Sequence, residues 1–302
     1  MTIVHLATGA GLLHVDDTGA TRGIDLDGRE VVAVDARDDA VVAAVSGGGV
    51  WLRAHGGWRD LGLEDAIVWT VALGGDDEVY AGVEPAAVWR LHDGNARELN
   101  GLTAIDGHEN WHSPWGAADL STIVVDGDRL IVGVEIGGVA VSHDRGATWE
   151  ARNEGLFDDV HVVVAVDETL YATTGMGCFL SHDEGRHWTW ASDGIDRGYT
   201  LGLARTDDGL VVGAASGPPT LWDAGGPEAA IYHARAGVGS LLWEDVFDEF
   251  SGAVERNCLA ARGELVVAGT TAGELLLSRD GGRSFALARS DLAPVNAVVI
   301  TG

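Results

Sequence analysis

An eight-residue motif recurs three times in this chain: Ser142 to Trp149 (SHDRGATW), Ser181 to Trp188 (SHDEGRHW) and, more loosely, Ser278 to Phe285 (SRDGGRSF). A short motif returning at intervals marks a repeat architecture, so the repeat has to be placed before the 302 residues are divided into domains. Upstream of each octet lie short runs rich in Val, Leu, Ile and Ala, bounded by Gly, Asp or Asn. Leu120 to Val125, Leu130 to Glu135 and Gly138 to Ser142 precede the first octet, and Thr148 to Arg152 closes its unit. The next unit repeats the plan with Val160 to Val166, Thr169 to Thr174, Cys178 to Ser181 and His187 to Ala191. Runs of four to seven residues separated by tight turns predict successive antiparallel hairpins, four strands to a unit, with the octet as the turn between the third and fourth.

Degenerate copies without a full octet follow the same plan. The units are expected at about 31–63, 68–99, 120–152, 160–192, 200–247 and 257–290. The ends supply one more: Val295 to Thr301 reads as an innermost strand with no successors, and Ile3 to Leu26 as three strands with no predecessor. Joining 295–302 with 1–27 completes a seventh unit and removes a free sheet edge. The expectation is a single all-β domain over 1–302, a seven-bladed β-propeller of four-stranded antiparallel blades closed by its N- and C-terminal strands.

The pattern S-x-D-x-G-x-[ST]-[WF] resembles the Asp box of the BNR and sialidase-like β-propellers, a family that also includes YCF48-like assembly proteins. The Asp accepts hydrogen bonds from backbone N–H groups across the turn, the Gly supplies a positive φ, and the aromatic residue packs on neighbouring strands. All of this is structural. The resemblance places the turn on the face opposite the ligand site, so Asp144, Asp183 and Asp280 are not catalytic candidates. Sialidases hold a substrate carboxylate with three arginines and use a Tyr and Glu pair. This chain lacks the F-R-I-P motif and matching spacing, although Tyr199, Tyr232, Glu249 and Glu255 fall in suitable loops, so no sialidase residue is carried over.

Charge narrows the partners. The chain holds 47 acidic and 19 basic residues, for a formal net charge of −28, and every basic residue is Arg. So large a field of one sign is easily tolerated only under strong salt screening, as on a halophilic protein. With no basic stripe to neutralise phosphates, nucleic acid is not an expected partner. No apolar run of about 18 residues and no charged start leading into an apolar segment is present, so neither a membrane span nor a signal peptide is expected, and the localisation read is cytoplasmic. Cys178 and Cys258 lack C-x-x-C spacing and read as small apolar residues in a reducing compartment.

Chemistry is expected on the face bearing the second-to-third and fourth-to-first strand connections, because three insertions fall there: Asn100 to Asp119, Ser216 to Ala230 and Asp245 to Arg256. The first contains His108-Glu109-Asn110-Trp111-His112, a literal H-E-x-x-H, but Gly107 and Pro114 flank it and the window is not an amphipathic helix. The second, rich in Gly and Pro, has the length of a lid or a compact surface loop. Aligning the units brings Trp69, Ser121, His161, Thr200, Asn257 and Asn296 to one end of the innermost strands, with Glu84 and Glu135 ending second strands beside them. Glu135 and His161, on adjacent units, suit an acid and base pair. The ligand-binding candidates are Trp69, Glu84, Trp111, His112, Trp115, Glu135, His161, Arg197, Tyr199, Arg256 and Asn257, and the metal-ligand candidates His108, His112 and His161. The leading reading is a module that binds a small molecule, carbohydrate or protein segment at the channel mouth. The alternative is a glycoside hydrolase-like enzyme or lyase, with a divalent metal as its cofactor, using His112, Glu135 and His161.

Overall fold

The computed structural model describes every residue except Met1, His55, Asp76, Asp93, Pro114, Trp115, Asp167, Gly225 and 236–240. Seven four-stranded antiparallel sheets form the blades of a propeller, and a separate two-stranded ladder pairs His112–Ser113 with Gly116–Ala117. Blade 1 holds Val31–Arg37, Ala40–Val45, Gly49–Ala54 and Gly57–Asp60. Blades 2 to 6 run from Ile67 to Glu98, Leu120 to Ala151, Val160 to Trp190, Tyr199 to Phe247 and Leu259 to Arg289. Blade 7 has Val295–Thr301 innermost, followed outward by Ile3–Thr8, Gly11–Asp16 and Thr21–Asp25. Val4 pairs with Ile300 and Leu6 with Val298, so the two ends of the chain close the ring in one sheet. Each innermost strand contacts the next all the way round. Among the described residues no helix is long and apolar enough to cross a membrane.

Burial is densest in the middle strands of each blade and least in the outermost ones, and sequence follows it. Second strands such as Ala40–Val45 and Gly209–Ala215 are covered on both faces by adjacent blades and read as continuous Ala, Val and Leu runs rather than as alternation. Outer strands such as Thr21–Asp25 and Asn95–Glu98 are mostly exposed and polar. Close blade packing needs small residues on the second strands. A Cβ on Gly82, Gly133 or Gly269 would overlap Leu120, Val160 or Val295, in each case the first residue of the next innermost strand.

The three octets share one hydrogen-bond pattern. Asp144 accepts from the Thr148 N–H at 2.8 Å and from its hydroxyl at 2.7 Å, while Ser142 Oγ accepts from the Gly146 N–H at 2.8 Å. Asp183 and Asp280 are engaged in the same way with His187 and Ser284. The Thr148 backbone N–H and hydroxyl hold the Asp144 carboxyl down to about 2. Trp149, Trp188 and Phe285 are buried in the blade packing. The octet therefore acts as a turn clamp, on the face opposite the insertions. Cys178 and Cys258 are buried free thiols.

Candidate functional site

On the insertion face the innermost strands share a local irregularity. In blades 1, 2, 3, 4 and 7 the pairing register skips one residue: Val32, Trp69, Ser121, His161 and Asn296. A bulge of this kind re-aims the side chain of the extra residue. Three of these residues do the same work. Ser121 Oγ donates to the Val160 carbonyl at 2.8 Å, His161 Nδ1 to the Thr200 carbonyl at 2.6 Å, and Asn296 Nδ2 to the Val31 carbonyl at 2.8 Å. Each acceptor lies on the innermost strand of the following blade, so the bulge residue rivets one blade to the next.

A buried charge network crosses the mouth beside these rivets. Arg256, on the connection into blade 6, pairs with Asp119 at 2.7 Å and Glu135 at 3.0 Å, and its guanidinium lies 4.8 Å from the centre of the Trp69 ring. Trp69 Nε1 donates to Glu84 at 3.1 Å. Glu135, Asp159 and His161 bring one ligand atom each to within 4.8 Å of one another, and among the described residues they are the group of three or more His, Cys, Asp or Glu so gathered. His161 Nε2 lies 3.5 Å from Asp159 Oδ1, and the Tyr199 ring packs 4.8 Å from the imidazole. Burial pushes the Glu135 carboxyl up, with Asp119 and Asp159 adding to the rise and Arg256 opposing it. Burial likewise raises Tyr199, helped by the Asp159 and Glu135 charges.

Of the residues expected at the site, Trp69, Glu84, Glu135, His161, Tyr199 and Arg256 join this network, and Asn257 lines the adjoining cavity. Others stand elsewhere. His108 sits in a single 3₁₀ turn, His108–Asn110, with its ring against Trp111 at 4.8 Å, and His112 is exposed in the short ladder. The H-E-x-x-H spacing thus lacks the two helical turns that would bring both imidazoles to one metal. Trp111 is half-buried over Gly137 and braces the hairpin beyond Glu135. Trp115 lies outside the described residues. Arg197 belongs to blade 5, where it binds the Tyr232 hydroxyl at 2.9 Å, Asp245 at 3.1 Å and the Glu228 carbonyl at 2.7 Å, tying the second insertion to its blade.

Asp119 and Asp159 are the residues that sequence reasoning missed. Both stand two positions before a bulge residue, Ser121 and His161, which places them on the same side of an extended strand. The blade alignment carried that signal.

Over blades 1, 2, 6 and 7 the mouth opens into a cavity of about 620 Å³. Val45, Ile67, Trp69 and Val295 form its apolar wall, and Pro219 of the second insertion reaches it. Ile67 is 57% exposed there. Glu30, Glu64, Asp65 and Glu255 also line it, so the wall is apolar and the charge around it is negative, with Arg256 the one cation among the described residues of the lining.

No protein-family model matches the chain, and no curated protein does. Solved structures match over nearly the whole chain. YCF48 from Cyanidioschyzon merolae is similar with a TM-score of 0.62 at 13% identity, covering 89% of this chain and 94% of that one. A structure of YCF48 bound to D1 peptide gives 0.60 at 14% identity, over 92% and 87%. An ancestral GH74 enzyme gives 0.63 at 16% identity, covering 99% of this chain and 40% of its own. The likeness is one of fold. It is the seven-bladed propeller, in which the three octets form turns between third and fourth strands.

Proposed function

We propose that the protein is a binding module that receives a protein segment at the insertion face, with an apolar side chain of the segment in the 620 Å³ cavity and basic residues against its acidic lining. The observation that carries this reading is the exposed Ile67 set in an apolar wall among Glu30, Glu64, Asp65 and Glu255. Exposed apolar surface with a charged surround suits a partner of opposite charge. A similar propeller, YCF48, has been solved with a bound peptide, which supports a segment as the occupant. The hydrolase reading has less behind it: His112, which it needs beside Glu135 and His161, is exposed in the short ladder, and among the described residues the group gathered around Glu135 and His161 is completed by Asp159 instead.

Trp69 in the cavity wall provides a fluorescence reporter. Short peptides with an aromatic or aliphatic residue flanked by Arg are expected to bind saturably and to change Trp emission, and Ile67→Asp to weaken them by about tenfold or more. Charge-reversed peptides should not bind. Equal affinity for both sets, or oligosaccharide binding and cleavage in place of peptide binding, overturns the reading.

A further inference from the structure

His161 does more than its counterparts. Ser121 and Asn296 rivet their blades through a hydroxyl and an amide, whereas an imidazole has a second ring nitrogen that can bind a metal. Because a carbonyl can only accept, the contact to Thr200 fixes the proton on Nδ1. In the neutral ring Nε2 then carries a lone pair. That nitrogen is buried and has no hydrogen-bond partner, and neither has Asp159 Oδ1, 3.5 Å away. His161 is 1% exposed. Two buried acceptors facing one another, with a Glu135 oxygen beside them, are costly unless something positive lies between them.

The charges in the network agree. Among the described residues Asp119, Glu135 and Asp159 face a single guanidinium, Arg256, so with the acids ionised and His161 neutral two negative charges stay uncompensated on side chains that are 10% to 23% exposed. Burying unbalanced charge is expensive, and one divalent cation would balance it. The supporting contacts are in place: the Thr200 carbonyl takes the imidazole N–H, as is usual for metal-bound histidines, and Arg256 holds Glu135 from the side.

We propose that Glu135, Asp159 and His161 form a binding site for a divalent transition cation such as Zn²⁺, Co²⁺ or Mn²⁺. One imidazole with two carboxylates favours these ions over Mg²⁺ and Ca²⁺, which prefer all-oxygen shells. The partial exposure of Glu135 and Asp159 leaves the channel side open for water or a ligand group to complete the coordination. The proposal does not depend on what fills the neighbouring cavity.

The test uses the whole chain, stripped with chelator and held in 1 M NaCl to suppress loose association with surface acids. Zn²⁺ is titrated by calorimetry, and Co²⁺ by its visible d–d absorption and by the paramagnetically shifted, slowly exchanging Nδ1 proton of the bound imidazole. The expected result is one equivalent, unaffected by excess Mg²⁺, with affinity lowered at least tenfold in His161→Asn and Asp159→Asn. Asparagine at 161 keeps a donor for Thr200, as Asn296 does for Val31, and Asp159→Asn checks the site without touching the rivet. Absence of a saturable equivalent, or undiminished binding by either folded variant, overturns the site.

Discussion

At the scale of single residues, His161 separates two roles that a sequence cannot. Its Nδ1 holds blade 4 to blade 5, and its Nε2 faces the carboxylates. The first role predicts a stability difference between two substitutions. His161→Ala leaves the buried Thr200 carbonyl without this donor and should cost about 1–3 kcal/mol, whereas His161→Asn should cost less than half of that. Denaturant melts in the absence of metal would show it; equal losses for the two variants would mean that the contact to Thr200 contributes nothing. Glu135 and His161 were legible in the sequence because repeat alignment puts both at the mouth. Asp159 was passed over because an acid beside a strand ordinarily reads as a solvated turn, and only its place in the repeat sets it apart. The H-E-x-x-H run misleads for the opposite reason. Its residue types are right, but Gly107 adopts a left-handed conformation just before it and the turn ends at Asn110, so the spacing never becomes a helical face.

At the scale of strands, the octets told most of the fold in advance, because their hydrogen bonds are local and recur with the sequence. Less legible was what lies between distant strands. The closing blade contains a buried chain of polar groups: His5 Nε2 to Thr301 at 2.9 Å, His5 Nδ1 to His14 Nδ1 at 2.9 Å, and His14 to Asp25 at 3.1 Å, with Arg53 of blade 1 on the same carboxylate. Nothing in the spacing of these residues announces it, since residues 5 and 301 meet only when the ring closes. Burial lowers His5 from 6.5 to about 4, with the His14 and Arg53 charges adding to the effect, and burial lowers His14 as well. Folding therefore favours the neutral rings. Between pH 6.5 and 4 the unfolded chain binds more protons than the folded one, so stability falls as pH falls through that window and the contribution is fully present above it. The loss from His5 is on the order of 3 kcal/mol. Unfolding free energy measured against pH should show this slope, and the double variant His5→Asn, His14→Asn should flatten it. An unchanged slope in that variant would place the titration elsewhere.

At the scale of the whole molecule, topology and charge make opposing demands. Closing the ring through Ile3–Thr8 and Val295–Thr301 makes the stability of every blade depend on the two ends of the chain staying paired. Meanwhile 47 acidic residues against 19 arginines load the closed ring with a net charge of −28, whose self-repulsion favours opening it. The arginines are spent locally, on pairs such as Arg129 with Glu184 and Arg289 with Asp291, and cannot cancel the global excess. Added salt shortens the screening length from about 10 Å at 0.1 M to about 3 Å at 1 M, less than the usual spacing of surface charges. Ring stability should therefore climb with NaCl, raising Tm by at least about 5 °C between 0.1 and 2 M for a chain of this size. An uncharged osmolyte at matched water activity should do less, because it leaves the repulsion in place. A flat or falling Tm would mean that the acids are already balanced by local pairing. The same field bears on partners, since it draws cations and basic segments toward a mouth lined by Glu30, Glu64, Asp65 and Glu255 while opposing polyanions. Salt should thus act in two directions on one molecule, strengthening the fold and weakening the encounter with a basic segment. Measuring Tm and peptide affinity over one salt series separates the two, and a peptide affinity that rises with salt would assign binding to apolar contact alone.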